Sequence, residues 1–217
     1  MSGDLVLMQK SGRIIRSDFM ISKCPVSVGD FQEIVDGKTA SLEEKGRVLQ
    51  TTWAEAVRYC NLLSLKAGIH AAYEEVSGRL IDEDGGSAED ISKVKGFRFP
   101  TPEEWEFAAK ATRPDGRFDD LKDTLDRLWW GEAFYGLKHP EEIELLAANS
   151  MGIRGMIGCV YEWCSDLDPS EEIKNKMCGW TYYYHNYDLI SYMMEKRMVG
   201  EKETHCFRIA LSGNPAR

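Results

Sequence analysis

The chain has 217 residues, 43% hydrophobic and 29% charged, a composition that excludes general disorder and predicts one folded domain spanning residues 1–217. Its 36 acidic and 27 basic residues give a formal net charge of −9, which argues against a nucleic-acid partner and favours a protein partner or a small ligand. Because it has neither a run of roughly 18 apolar residues nor an apolar signal-peptide core, we expect a cytoplasmic protein without membrane contact.

Helix starts are concentrated in the first half of the chain. A first helix is predicted after Ser27. Two capping boxes follow, in which the oxygen of Thr52 or Thr101 and the carboxylate of Glu55 or Glu104 satisfy backbone N–H groups of the first helical turn. The second helix should end near Ser64 and Gly68. The residues expected to face the core are Val28, Phe31 and Val35 in the first helix, Trp53, Val57, Cys60 and Leu63 in the second, and Trp105, Ala108 and Ala109 in the third.

The remaining segments favour turns and strands. Residues 79–95 are acidic and rich in turn formers, which is typical of a long surface loop or a hairpin insertion. From Met151 onward, short apolar runs alternate with glycines and aromatic residues, so we expect short strands joined by long loops. With helices in the first half and strands mostly at the two ends, the chain is predicted to be of the α+β class.

The sequence offers little conventional catalytic or metal-binding machinery. It has no phosphate-binding loop, nucleophile elbow or zinc-protease motif. Cys159 and Cys164 are five residues apart, which is the wrong spacing for a zinc site, and the six cysteines are expected to be thiols in a reducing compartment. Glu162 lies between two aromatic residues in a predicted buried turn. We interpret it as a structural carboxylate that caps loop amides rather than as a catalytic group.

Five stretches occur in an order that carries a family resemblance. They are FMISKCPVSVGDFQEIV, TTWAEAVRYCNLLS, GFRFPTPEEWEFAAKA, NSMGIRGMIGCVYEWCSD and CFRIAL, and residues 128–131 (LWWG) add a further match. Together they resemble the formylglycine-generating enzyme family, also called the sulfatase-modifying-factor domain, from about Phe19 to Leu211. The resemblance implies a C-type lectin-like fold, with two main helices around a small twisted antiparallel sheet and long ordered loops.

The departures from that family concern its copper site. The resemblance implies that the enzymes hold copper with two cysteines, two and seven residues after the aromatic residue of a Gly-Gly-Ser-aromatic motif. Here the matching aromatic residue is Trp180, and those positions hold Tyr182 and Tyr187. Phenols have a reference pKa near 10, and copper(I) selects thiolate sulfur, so we expect no catalytic residues and no cofactor. Cys178 and Cys206, which stand where the family has glycine, are an example of an alternative cysteine pair.

The calcium site implied by the resemblance is also altered. Asn149 and Glu162 are retained, but Cys159 replaces the family's asparagine and Gly155 replaces an aspartate. Calcium requires several oxygen ligands, so we expect no metal site, although a residual one near Asn149 and Glu162 stays open.

The most unusual composition lies between residues 180 and 194. Consecutive tyrosines cannot all face one side of a strand, so part of this segment should be exposed. Tyrosine and tryptophan supply large contact area at low conformational-entropy cost, which is typical of protein recognition. The residues predicted to bind a partner are Trp180, Tyr182, Tyr183, Tyr184, His185, Tyr187 and Tyr192.

The first functional hypothesis is therefore a non-catalytic protein-binding or adaptor module on this scaffold. The resemblance adds a regulatory role in a bacterial signalling or defence assembly, associated with proteases or CRISPR components. One alternative is a copper-dependent oxidoreductase that uses a different cysteine pair, for example Cys178 with Cys206. Another is a hypervariable ligand-binding protein of the lectin fold.

Overall fold

The computed structural model describes residues 5–9, 15, 17–110, 142–143, 146, 148–156, 161–165, 167, 175–178, 197–199 and 204–213. The helices and strands, in chain order, are β1 (Leu5–Met8), β2 (Phe19–Ser22), α1 (Val28–Phe31), α2 (Leu42–Gly46), α3 (Trp53–Lys66), α4 (Pro102–Ala109), β3 (Glu162–Cys164), β4 (Asn175–Cys178), β5 (Arg197–Val199) and β6 (Ala210–Ser212). A π-helical segment (Gln32–Asp36) extends α1, and a short 3-10 helix (Ile91–Lys93) precedes α4.

The strands form two three-stranded antiparallel sheets. In the first, with the order β1-β2-β6, Met8 pairs with Phe19 and Ile21 pairs with Ala210, so residues more than 180 positions apart are neighbours. In the second, with the order β3-β4-β5, β4 lies between the other two strands. The predicted α+β class is confirmed, with strands mostly at the two ends of the chain.

Both predicted capping boxes are present at the starts of α3 and α4. The Thr52 oxygen accepts from the backbone N of Glu55, and the Glu55 carboxylate accepts from the backbone N of Thr52. Thr101 and Glu104 repeat the arrangement. The predicted stripes of α3 and α4 are buried except for Trp53, which is only partly buried. The prediction of these two helices is therefore confirmed.

The region after Ser27 differs from the single helix that we predicted. Regular α-helix covers only Val28–Phe31. The helix then widens into the π-helical segment, which ends at Gly37, where φ is +67°. The short helix α2 was not predicted, although Ser41 and Glu44 form a third capping box of the same pattern. It packs closely on α1, because a Cβ added to Gly29 would lie 2.8 Å from the backbone N of Lys45.

Two apolar clusters form the core. The larger one surrounds α3 and contains ring pairs at edge-to-face distances, for example Phe99 with Phe207 at 5.6 Å. The smaller one joins the first sheet to α4 through Phe19, Ile21 and Trp105. Within the predicted insertion, Ile81 bridges to Ser87, so residues 81–87 form a short hairpin that seats the buried Leu80 on the core. No helix among the described residues is long and apolar enough to span a bilayer.

Candidate functional site

Glu162 and Arg208 form a fully buried ion pair where β3 meets the chain that leads into β6. The Arg208 Nε atom donates to Glu162 Oε2 and Nη2 donates to Oε1, both at 2.6 Å, and neither side chain is exposed. This two-pronged arrangement matches the planar guanidinium to the carboxylate, the strongest geometry for such a pair. The pair therefore fixes the relative position of the two segments.

Further hydrogen bonds connect this pair to three other parts of the fold. The Trp105 indole Nε1 of α4 donates to Glu162 Oε2 at 2.8 Å. Arg208 also donates to the backbone oxygens of Ser22, at 3.1 Å, and Arg154, at 2.8 Å. The structural role predicted for Glu162 is therefore correct, but its partners are Arg208 and Trp105 rather than loop amides. No role was predicted for Arg208, although an arginine inside the apolar run CFRIAL was a signal for it.

A second buried pair, between Arg98 and Glu104, lies at the start of α4. Arg98 Nη1 and Nη2 donate to the two Glu104 oxygens at 2.7 and 2.8 Å. The Glu104 Oε2 atom also accepts from the backbone N of Thr101, so one carboxylate closes both the ion pair and the helix cap. Ser212 of β6 accepts from Arg98 at 3.0 Å. The buried carboxylates are thus occupied by structural contacts and do not converge on a shared site.

The candidate calcium ligands are engaged in the same way. The side-chain oxygen of Asn149 accepts from the backbone N of Met151 and of Ile153, and its amide donates to the oxygen of Ala108 at 2.9 Å. Both Glu162 oxygens already accept hydrogen bonds from cationic or indole donors. The described residues hold no group of three or more His, Cys, Asp or Glu side chains arranged for a metal. The geometry therefore does not fit calcium coordination by Asn149 and Glu162.

The two cysteines of the alternative pair lie on opposite sides of the Glu162 backbone. Cys178 is opposite Glu162 in the β3–β4 register, and Cys206 forms a parallel bridge to Glu162 from the other side. Their Cα atoms are therefore separated by two strand spacings, about 10 Å, beyond the Cα separation that a direct sulfur–sulfur bond allows. Cys206 is fully buried.

The aromatic residues predicted to bind a partner lie outside the described residues, as do Cys159 and residues 128–131. β4 and β5 lie on either side of the tyrosine-rich segment, which we define as residues 179–196, and their backbone pairing is known. Within the β4–β5 register, Met177 pairs with Arg197. The described residues that flank the tyrosine-rich segment on its two sides are therefore neighbours in one sheet.

A buried hydrogen-bond network that was not predicted from the sequence holds this sheet to the core. The Tyr73 hydroxyl lies 2.6 Å from Ser165 Oγ and accepts from the backbone N of Phe99 at 2.9 Å. The Asn61 side chain of α3 accepts from the backbone N of Tyr73 and donates to the backbone oxygen of Tyr73. Burial raises the pKa of the Tyr73 hydroxyl well above its usual value, so it remains protonated. An asparagine on the buried face of α3 was the available signal.

Comparison with known proteins gives a consistent result. The model of the family described as "Sulfatase-modifying factor enzyme 1-like domain" matches residues 9–210. A curated protein, "Chaperone protein LppX" from Paenibacillus barcinonensis, is 26% identical over 174 residues, covering 68% of this chain and 62% of that protein. The chain therefore spans less than two thirds of the length of this relative.

Two solved structures are similar over nearly the whole chain. "Treponema denticola variable protein 1" superimposes with a TM-score of 0.60 at 21% identity, covering 98% of this chain and 93% of that one. "Crystal Structure of CarF" gives a TM-score of 0.60 at 17% identity, with 97% and 94% covered. At these identities the likeness establishes the fold and nothing further.

Proposed function

The chain belongs to the sulfatase-modifying factor enzyme 1-like family, and we propose that it uses this scaffold to bind a protein partner rather than to oxidise cysteine. The observation that carries the proposal is the replacement of both copper-binding positions by Tyr182 and Tyr187. Copper(I) requires soft sulfur ligands, and a protonated phenol provides none. The donor set at these positions does not fit copper.

The buried carboxylates Glu162 and Glu104 provide further support for a binding role. A catalytic acid or base must reach the substrate with a proton to give or take. Glu162 and Glu104 instead accept hydrogen bonds from arginines that are themselves buried. The likeness to a protein named a chaperone supports binding over chemistry, because chaperones act by holding other proteins.

The proposed binding surface is the tyrosine-rich segment: Trp180, Tyr182, Tyr183, Tyr184, His185, Tyr187 and Tyr192. The pairing of β4 with β5 supports its use as a binding surface, since the described residues on its two sides, Met177 and Arg197, are neighbours in one sheet. That sheet is joined to the core by Glu162 and Ser165. We further propose that the partner is a protein of a bacterial signalling or defence assembly and that binding takes place in the cytoplasm.

Two experiments test the proposal. The purified chain, supplied with copper(I) and a cysteine-containing sulfatase peptide, should give no aldehyde product by mass spectrometry, whereas sustained turnover would refute the absence of catalysis. Capture of partners from native lysate should be lost when Tyr182, Tyr183 and Tyr184 are changed to alanine.

The capture experiment has a matched control within the chain. Leu42 and Val76 are 89% and 94% exposed, so changing them to alanine also removes exposed apolar surface. Partners retained by this control and lost from the tyrosine variant would support the proposed surface. Equal capture by both variants would refute it.

The oxidoreductase alternative makes a separate prediction. If Cys178 and Cys206 held copper, the purified chain would bind one equivalent tightly, and Cys206→Ser would abolish binding. We expect no such binding, because the Glu162 strand lies between the two cysteine backbones. For the hypervariable alternative, sequence variation among close relatives would be concentrated between Trp180 and Met194.

A further inference from the structure

Trp53, at the start of α3, has a buried hydrogen-bond donor with no acceptor among the residues that the structure describes. Its ring is partly buried and packs edge-on against Phe99 at 4.8 Å and Trp163 at 5.7 Å, but its Nε1 atom is enclosed and unbonded. The other two described indoles are satisfied: Trp105 donates to Glu162, and Trp163 donates to the backbone oxygen of Thr51 at 2.9 Å. A buried unpaired donor is uncommon in folded proteins and calls for an explanation.

The atom is covered by the backbone of Gly78. A Cβ added to Gly78 would lie 2.8 Å from Trp53 Nε1, and the φ of Gly78 is +66°. Only glycine permits both this approach and this backbone conformation without strain. While the turn formed by residues 74–78 remains in place, no acceptor can reach the indole N–H of Trp53.

The covering turn is held together by its own hydrogen bonds. The Glu74 carboxylate accepts from the backbone N of Val76 at 3.0 Å and of Ser77 at 2.6 Å, and the backbone N of Gly78 donates to the Glu74 oxygen at 2.9 Å. These bonds join residues of the turn to one another. A shift of residues 74–78 away from Trp53 as a unit would therefore leave these bonds intact.

We infer that Trp53 Nε1 and the adjoining indole face form a binding site for an uncharged carbonyl group, which is reached when the Glu74–Gly78 turn shifts. A donor without an acceptor gains a hydrogen bond when the ligand arrives. The surrounding rings of Tyr73, Phe99 and Trp163 are buried, and a carboxylate would lose more solvation there than a neutral carbonyl. The inference is independent of the tyrosine-rich segment and of the proposed partner binding.

Indole N–H signals in nitrogen-15 NMR spectra test this inference directly on the full chain. The Trp53 signal among the six tryptophans is assigned by its loss in Trp53→Phe. The probe is N,N-dimethylacetamide, which has a carbonyl acceptor and no N–H donor. The Trp53 proton should move downfield as the probe is added, while the bonded Trp105 and Trp163 protons stay in place, and sodium acetate should have no effect.

Two alanine variants separate the covering turn from general backbone strain. Gly78→Ala places a methyl group against the indole and should shift the turn, which increases the response of Trp53 to the probe. Gly85 also has an unfavourable positive φ, +82°, but open space lies around the methyl group added in Gly85→Ala, so the response of this variant should equal that of the unchanged chain. An unresponsive Trp53 proton, an equal shift of all three indoles, or an equal response to acetate would overturn the inference.

Discussion

Replacing Arg208 with methionine should cause a large loss of stability. The variant leaves the Glu162 carboxylate buried without its cation, since both side chains are fully enclosed. Removing one partner of such a pair costs about 3–5 kcal/mol. The backbone oxygens of Ser22 and Arg154 also lose a donor, at about 1 kcal/mol each. Allowing for non-additivity, we expect a loss of about 5 kcal/mol.

Urea unfolding followed by circular dichroism measures this loss as a change in midpoint at constant slope. For a chain of this size, the melting temperature should fall by roughly 10–20 °C, at about 2–4 °C per kcal/mol. The matched control is Lys38→Met, which removes an exposed pair with Asp36 at 3.7 Å and should cost less than about 1 kcal/mol.

A double variant identifies the cause of the loss. Adding Glu162→Gln to Arg208→Met removes the buried charge while keeping an acceptor for Trp105, so the double variant should be more stable than Arg208→Met alone. If Arg208→Met costs no more than Lys38→Met, or if the two substitutions lower stability additively, the assignment of Glu162 as a buried, charge-dependent anchor is wrong.

Three further predictions address local features. Hydrogen bonds from Thr51 and Thr52 lower the pKa of the Glu55 carboxyl in the folded chain. The contribution of Glu55 to the free energy of unfolding is therefore present above the pKa of the unfolded state and is lost as pH falls through the pKa of the folded state. In urea unfolding, Glu55→Gln should lower stability at pH 7 and not at pH 3, and an equal effect at both would contradict this. Gly29→Ala should destabilise by about 1–3 kcal/mol through its contact with α2, whereas Gly46→Ala, with open space around the added methyl group, should not; equal effects would refute the close packing. Burial raises the pKa of both the Cys24 and the Cys60 thiol, but Cys60 is fully buried and Cys24 only half-buried. After iodoacetamide treatment of the native chain, mass spectrometry should therefore show alkylation of Cys24 and none of Cys60 until the chain unfolds; rapid Cys60 labelling would contradict its burial.

The sequence predicted those parts of the fold that are encoded locally. The cap and stripe of α3 lie within 15 consecutive residues, so spacing alone identified them. The same pattern at Ser41 and Glu44 was available and was missed, because α2 has no buried residue to form a stripe. The π-helical continuation of α1 has no comparable local signature, since Phe31 and Val35 fit a regular helix equally well.

Long-range pairing could not be derived from the chain in isolation. Glu162 and Arg208 are 46 residues apart, and only the fold shows that one neutralises the other. The family resemblance supplied the order of the elements but not the hydrogen bonds between them. The orphan donor of Trp53 was equally inaccessible, since its capping position and apolar stripe predict burial and do not indicate whether Nε1 finds an acceptor.

The position of β6 has a consequence for the way this protein is made. Residues 204–213 supply the third strand of the first sheet, the cation for Glu162 and part of the aromatic cluster. Because Phe207 and Ile209 belong to the larger cluster, that cluster cannot be completed until these residues have been synthesised, and part of the apolar surface of the earlier segments remains uncovered until then. Such a topology makes folding slow and leaves nascent chains dependent on protection from aggregation. A stop codon before Cys206 should yield a product that proteases degrade, even though all the described helices are already encoded.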